Sequence, residues 1–273
     1  MKDENMNKRL RNECAFSLIC SAEDAANMIE DGMAVGISGF TNAGYPKAVP
    51  HALAEQAKAG RKVKIDLYSG ASVGPEVDTE LTEAGVIGKR IPYQTNSVLR
   101  KSINAGDVGY IDMHLGRSPE FVAAGHVRKP DIALVEALAI TENGDLVPTT
   151  SVGNTPAYVA EADAVIVEIA MAKPLELEGM ADVYMCEKPP LRQPIPLTHP
   201  GERIGTPYIK CGWDKIKAIV LSEKTDLTRP LAAISEDSKK IGENIIKFFE
   251  NEVAEGRLGK SLLPIQSGVG SVA

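Results

Sequence analysis

Apolar positions along this chain keep two rhythms, and the rhythms take turns. Ala22, Ala25, Ala26 and Ile29 follow a helical period; Ser21 stands at the N-cap, Glu23 and Asp24 in the first turn and Gly32 past the end. Met33, Val35 and Ile37 then alternate with small residues, as a buried strand does. Val49, Leu53 and Ala57 return to the helical period, with entry at Pro46 or at Pro50. Val63, Ile65 and Leu67 predict a second strand, Ser69 to Glu76 a glycine-rich loop, and Val77 to Ala84 a helix. Arg90 to Tyr93 predicts a short strand, and Asn96 is placed to cap a helix over Ser97 to Ala105. A strand over Tyr110 to Met113 and a helix opened by Ser118-Pro119-Glu120 follow. Ile132 to Ile140 is nearly all apolar, as in a strand covered on both faces, and Asn143-Gly144 marks a hairpin turn. Thr155-Pro156 opens a short helix, Ala164 to Ile169 reads as another buried strand and Ile216 to Leu221 as the last. The alternation predicts an α/β fold on a mainly parallel sheet with one antiparallel excursion.

Proline changes the organisation towards the C-terminus. Seven of the 17 prolines fall between Pro174 and Pro207, which excludes regular helix or sheet there. Leu175, Leu177, Met180, Ile195 and Leu197 predict an ordered loop packed on the domain, over 174–210. Ser235 is placed to cap an amphipathic helix with Ile241, Ile245, Phe248, Phe249 and Val253 on one face and Gly256 at its end. Leu262 to Ile265 reads as a strand running into a second glycine loop. The expected division is a poorly ordered N-terminus over 1–15, an α/β domain over 16–225, and a connecting helix with the start of a second domain over 226–273.

The strand–loop–helix unit from Ile37 to Pro50 carries the first chemical candidate. Gly39 and Gly44 bracket a turn containing Phe40 and Thr41, a layout that aims backbone N–H groups and a helix N-terminus at an anion. An ordinary βα turn is the competing reading. The spacing of Gly36, Gly39 and Gly44 does not match the G-x-G-x-x-G dinucleotide fingerprint. A nucleotide-dependent oxidoreductase built on this loop would also lack the acidic residue expected at a second strand end.

Composition narrows the classes further. With 273 residues, 44% hydrophobic and 25% charged, the chain is that of a globular protein of one large or two smaller domains. A net charge of −7 without a basic run argues against nucleic acid as a partner. The first residues lack the apolar core of a signal peptide, and no apolar run has membrane-spanning length. Cys14, Cys20, Cys186 and Cys211 are scattered, and His51, His114, His126 and His199 show no metal-ligand spacing. Reduced thiols, a cytoplasmic setting and no metal site are the expectation. Glu136 and Glu168 sit in apolar strands and read as strand-end packing or pairing.

Six stretches in order are more specific: Ile37–Thr41, Arg90–Asn96, Tyr110–Gly116, Ser151–Asn154, Pro174–Asp182 and Pro264–Gly270. In them the chain resembles the N-terminal half of the acetyl-CoA hydrolase/transferase family, nearest its succinyl-CoA:CoA and succinyl-CoA:acetate transferase branch. One departure is Ala170, where the family usually has asparagine. The resemblance implies the N-terminal α/β domain of a CoA-transferase (NagB/RpiA-like) with the active site between two similar domains. It implies a CoA thioester as substrate, with no permanently bound cofactor, a small carboxylate as acceptor, and a glutamyl-CoA intermediate. It implies a CoA-binding, oxyanion-side loop at Gln266, Ser267, Gly268, Val269 and Gly270, and a substrate cleft lined by Gly39, Phe40, Thr41, Gln94, Asn96, Gly153 and Asn154. For each of Gln94, Asn96 and Asn154 the capping of a turn is the competing reading, and for Asn96 a plain helix cap. The family's nucleophilic glutamate lies downstream of the glycine loop, so no catalytic residue is expected in this chain. A C-terminal half in cis or in trans, and a homo-oligomer when complete, are the expected partners; a non-catalytic subunit completed by a separate polypeptide is the alternative.

Overall fold

The computed structural model describes residues 2–71, 73–227, 233–263 and 265–268. They fall in two compact units, Met1–Leu227 and Thr228–Ala273. In the first unit, strands β1 (Ala34–Ile37), β2 (Ile65–Ala71), β3 (Ile87–Tyr93), β4 (Gly109–Tyr110) and β5 (Ile132–Ala137) are followed by the two-residue strands β6 (Ala139–Ile140) and β7 (Leu146–Val147). Strands β8 (Ala164–Ala170) and β9 (Ile216–Ser222) complete the set. Seven of these form one parallel sheet in the order β4-β3-β2-β1-β5-β8-β9, while β6 and β7 make a separate antiparallel hairpin. The chain winds outward from β1 in one direction and from β5 in the other, so the topological switch lies between these two strands.

Both sheet faces are covered, which explains why β1 and β5 are buried at every position. Helices α1 (Lys2–Arg9), α2 (Ala22–Asn27), α3 (Ala48–Lys58), α4 (Leu81–Glu83), α5 (Ser97–Ala105), α6 (Arg117–Ala123) and α7 (Thr155–Glu161) divide between the faces. Ile29, Val49, Leu53, Leu81 and Leu99 pack on one face with Val35, Leu67, Leu134 and Ile166. Leu10, Val122, Tyr158 and Val159 pack on the other with Tyr68, Val135 and Val167. Helix α7 crosses β1 at Gly36, where a Cβ would sit 2.8 Å from that of Tyr158; only glycine permits this approach.

The caps follow the sequence closely. Ser21 Oγ accepts from Asp24 N, and Asn96 Oδ1 accepts from Val98 N and Leu99 N. Gly106 closes α5 in the left-handed region, and Gly144 does the same in the β6–β7 turn. Helix α3 starts at neither proline: Lys47 precedes its first residue, and Pro50 sits in the first turn, where its missing N–H leaves no bond unmade.

Other expectations are corrected. Residues 2–9 form α1, and the Arg9 guanidinium is buried, donating to the carbonyls of Leu138, Ala170, Met171 and Lys173. The hydrophilic look of this segment conceals that anchor, and the expectation of poor order does not describe it. Strand β2 continues through Ser69 and Gly70, and Glu76–Glu80 is a π-helical turn ahead of a single α turn. Strand β4 is two residues long; Ile111 N still donates to Arg90 O, but the next donor on the neighbouring strand would be Pro92, which has no N–H. Ser118 does not cap α6, because its hydroxyl turns inward to Tyr158 Oη at 3.0 Å. The apolar run from Ile132 leaves the large sheet at Leu138, whose N–H donates to Val147 O.

In the second unit Ser235 Oγ accepts from Ser238 N and opens α8 (Glu236–Ala254), on which Ile241, Ile245, Ile246 and Phe248 are exposed. Residues 261–263 and 265–268 form no strand, against the expectation; Pro264, Val269 and Gly270 lie outside the described residues.

Candidate active site at the carboxyl edge of the sheet

Because the large sheet is parallel, the loops after its strands emerge at one edge, where ligand crevices of open α/β sheets lie. Ser38 Oγ, just past β1, accepts from Asn154 N at 2.8 Å, and Asn154 Nδ2 donates to Ser69 O near the end of β2 at 3.2 Å. A Cβ on Gly153 would meet Ser38 Oγ at 2.5 Å and Gly39 O at 3.0 Å, and one on Gly70 would meet Ser38 Oγ at 2.7 Å. Gly39, Gly153 and Asn154 are thus brought into one tight knot, and the glycines serve backbone-on-backbone packing. Phe40 bridges to Ala43 and Ala71 and leaves its ring about half exposed, at 53%. Thr41 and Asn42 take left-handed conformations at the tip.

Gln94 and Asn96 follow β3 at the same edge. The Asn96 side chain is committed to the α5 cap and to Thr79 Oγ1, at 2.8 Å. Gln94 is half-buried, and among the described residues its Oε1 has no hydrogen-bond partner; the same holds for Ser69 Oγ and for Nε and Nη1 of the buried Arg90.

The turn from Gly39 to Gly44 does deliver a helix N-terminus to an anion, but the anion belongs to the protein. The Glu168 carboxylate on β8 accepts from Lys47 N, Ala48 N and Val49 N at 2.8, 2.9 and 2.7 Å. Burial pushes this carboxyl above its ordinary value, against the pull of the three amides, and Glu136 adds to the rise. Glu136 and Glu168 are direct neighbours across β5 and β8. Glu136 is neutralised separately: Lys47 Nζ lies 2.5 Å from its Oε2 and Lys173 Nζ 2.5 Å from its Oε1, which also accepts from Thr149. Asp226 closes the ring, 2.9 Å from Lys47 Nζ and 2.7 Å from Lys173 Nζ. Two lysines and two carboxylates alternate in a buried, charge-balanced square at the switch point. Burial alone would raise the Asp226 carboxyl; hydrogen bonds from Lys173 and Lys47 hold it below its ordinary value.

A cavity of about 300 Å³ opens beside Asn154, between α6, α7 and the proline-rich segment, with Glu120, Asp182, Lys188 and Arg192 among its lining. That segment is clasped by the Val183–Thr206 pair of backbone bonds and by Asp182, which accepts from Ile204 N and Gly205 N. Gln266, Ser267 and Gly268 are exposed in irregular backbone. Among the described residues no group of three or more His, Cys, Asp or Glu side chains is placed to hold a metal ion, and no helix is long and apolar enough to cross a membrane.

Residues 4–241 match the acetyl-CoA hydrolase/transferase N-terminal domain. The chain belongs to the acetyl-CoA hydrolase/transferase family. It is 52% identical over 267 residues to the succinyl-CoA:acetate CoA-transferase of Clostridium kluyveri, covering 97% of this chain and 50% of that protein. It is 35% identical over 278 residues to the acetyl-CoA hydrolase of Schizosaccharomyces pombe, covering 98% and 53%. The chain therefore spans about half the length of these relatives. Its fold is similar to that of glutaconate coenzyme A-transferase from Acidaminococcus fermentans (TM-score 0.51, 15% identity, 75% of each chain).

Several residues of this acetyl-CoA hydrolase/transferase domain escape sequence reasoning. Lys47, Lys173 and Asp226 meet only in three dimensions, and no spacing announces them. Glu136 and Glu168 were legible as paired or packed strand-end carboxylates, though not their partners. Ala170, the departure from the family pattern, is buried at the end of β8 and gives its carbonyl to Arg9.

Proposed function

We propose that this chain is the N-terminal domain of a CoA-transferase that moves CoA between an acyl-CoA, acetyl-CoA or succinyl-CoA, and a small carboxylate. The path runs through an enzyme glutamyl-CoA thioester, with acetyl-CoA hydrolysis as a side reaction. Residues 16–225 supply one wall of the active site, and 226–273 lead towards the domain that supplies the other. The observation that carries this reading is the 52% identity, across 97% of the chain, to a succinyl-CoA:acetate CoA-transferase.

The chemistry divides accordingly. A carboxylate nucleophile depends on positioning and on donors that stabilise the oxyanion. Neither buried glutamate at the sheet edge is free to act: Glu136 is held by two lysines and a threonine, and Glu168 by three amides. By resemblance to the family, the nucleophile is assigned downstream of the Gln266–Gly270 loop, outside this chain. Phe40, Thr41 and Gln94 face the substrate, with Gly39, Gly153 and Asn154 shaping the wall behind them. Asn96 acts chiefly as the α5 cap. Gln266 to Gly270 form the CoA-side loop.

The test is transfer of CoA from acetyl-CoA to succinate, measured for the 273-residue chain alone and with the C-terminal half of a close relative added. The chain alone is expected to be inactive, and the mixture to turn over where the halves dock. Robust turnover by this chain alone would place the nucleophile on the wrong side of the division.

A further inference from the structure

We propose that Asp226 is a positioning residue that fixes the loop after β1 and thereby sets the shape of the cleft wall; its catalytic consequence rests on the CoA-transferase reading. The residue lies four positions beyond β9, and its side chain is only 10% exposed. Its Oδ1 accepts from Gly44 N at 3.2 Å and its Oδ2 from Thr150 Oγ1 at 2.8 Å. These bonds hold together two segments, 39–45 and 149–154, that carry five of the seven candidate cleft residues. A further clasp joins the same segments, as Ser151 Oγ donates to Ala43 O at 2.9 Å. Gly44 has φ +65, and a Cβ there would lie 2.7 Å from Ser151 N, so the two segments approach backbone to backbone and only glycine fits at this position.

The ring around Asp226 explains why the carboxylate stays in place. Lys47 and Lys173 each touch both Asp226 and Glu136, so no charge in the square is unpaired. Charge balance and loop positioning are separable. Removing Asp226 together with Lys173 leaves Lys47 with Glu136, a neutral pair, and Glu136 keeps Thr149. Lys173 Nζ also donates to Thr150 Oγ1 at 3.1 Å, so Lys173→Met alone is the control: if Asp226 merely balances charge, the double change loosens Gly44 no more than Lys173→Met does. If it positions the loop, the loop loosens further although the charges balance.

Hydrogen exchange at the Gly44 amide, referred to the amides of β1 and β5, decides between these in the 273-residue protein. Asp226→Ala lowers the melting temperature and speeds Gly44 exchange about tenfold, the loss of one charge-assisted bond. The double variant Asp226→Ala, Lys173→Met recovers much of the melting temperature while Gly44 stays faster than in Lys173→Met alone. Thr150→Val, which keeps all four ion pairs but removes the Thr150 bonds to Asp226 and Lys173, speeds Gly44 exchange by a smaller factor. Return of Gly44 protection to the Lys173→Met level together with stability in the double variant overturns the proposal, as does unchanged Gly44 exchange in Thr150→Val. In protein assembled with a C-terminal half, the double variant lowers kcat about tenfold with KM for acetyl-CoA little changed, as misplacement of a reacting group does; an unchanged kcat overturns the catalytic part. An inactive wild-type assembly defeats the CoA-transferase reading and leaves the Gly44 result standing.

Discussion

Replacing Glu168 by alanine removes the carboxyl group that caps the N-terminus of α3. Three N–H groups, of the buried Lys47 and Val49 and the half-buried Ala48, lose their acceptor. Bonds to a charged acceptor are worth ~1.5–3 kcal/mol each, so their sum has a ceiling of about 9 kcal/mol. The buried charge opposes them, because burial disfavours the ionised carboxyl and Glu136 is its neighbour on β5. The expected net loss is about 3 kcal/mol, in line with other broken buried charge networks. For a unit of this size that lowers the melting temperature by about 6–12 °C. Glu168→Gln is the sharper variant. An amide oxygen in place of Oε2 keeps Lys47 N and Ala48 N, whereas the amide nitrogen confronts the N–H of Val49, a cost of about 1–3 kcal/mol. The pH dependence has a definite sign. A carboxyl raised by folding favours the folded state fully below its unfolded value, and this contribution fades as pH rises through the folded value. The wild type should therefore lose stability with rising pH relative to Glu168→Gln, and the gap between them should narrow. Urea unfolding of the 273-residue protein at several pH values measures both effects. A Glu168→Ala loss below about 1 kcal/mol would refute the argument, since the amides would then have found other partners.

Arg9→Ala leaves four carbonyl acceptors without the guanidinium and is expected to cost about 3 kcal/mol and to open residues 2–18 to protease; resistance equal to wild type would contradict the anchor. Asn96→Ala should cost about 1 kcal/mol by thermal unfolding, while Asn96→Asp, which keeps the cap oxygen, should cost less; a large loss of transfer activity in a stable Asn96→Asp assembly would instead give the residue a substrate role. The Asp226 carboxyl is held below its ordinary value, so its contribution is present at neutral pH and is lost as pH falls below about 3.9 towards the folded value. Acid titration of Asp226→Asn should show a shallower fall than wild type, and identical acid limbs would count against the ion ring.

The sheet was legible because its signals are local. The apolar runs Ile132–Ala137 and Ala164–Ala170 contain their own burial, Asn96 and Ser21 cap within four residues, and Asn143-Gly144 turns the hairpin where its backbone preference requires. What was illegible is long-range. Arg9 reaches across more than a hundred residues to its acceptors, so its hydrophilic segment looked solvated. Ser118 sits where a cap is expected, yet Tyr158 claims its hydroxyl. The loop from Gly39 to Gly44 was rightly seen to lead to a helix N-terminus, but sequence spacing does not reveal that Glu168 fills that position from a strand more than a hundred residues away. The grouping of Gly39, Gly153 and Asn154 came from resemblance rather than spacing, and the geometry gives the glycines a packing task that no motif states.

The central claim is that this domain forms one wall of a CoA-transferase site and carries no nucleophile. Intact-mass measurement after incubation with acetyl-CoA tests it most directly, on the 273-residue chain alone and mixed with the C-terminal half of a close relative. The account predicts no covalent CoA on this chain in either sample, and an adduct on the added half that borohydride reduces. A stable CoA adduct on a glutamate of this chain would contradict it.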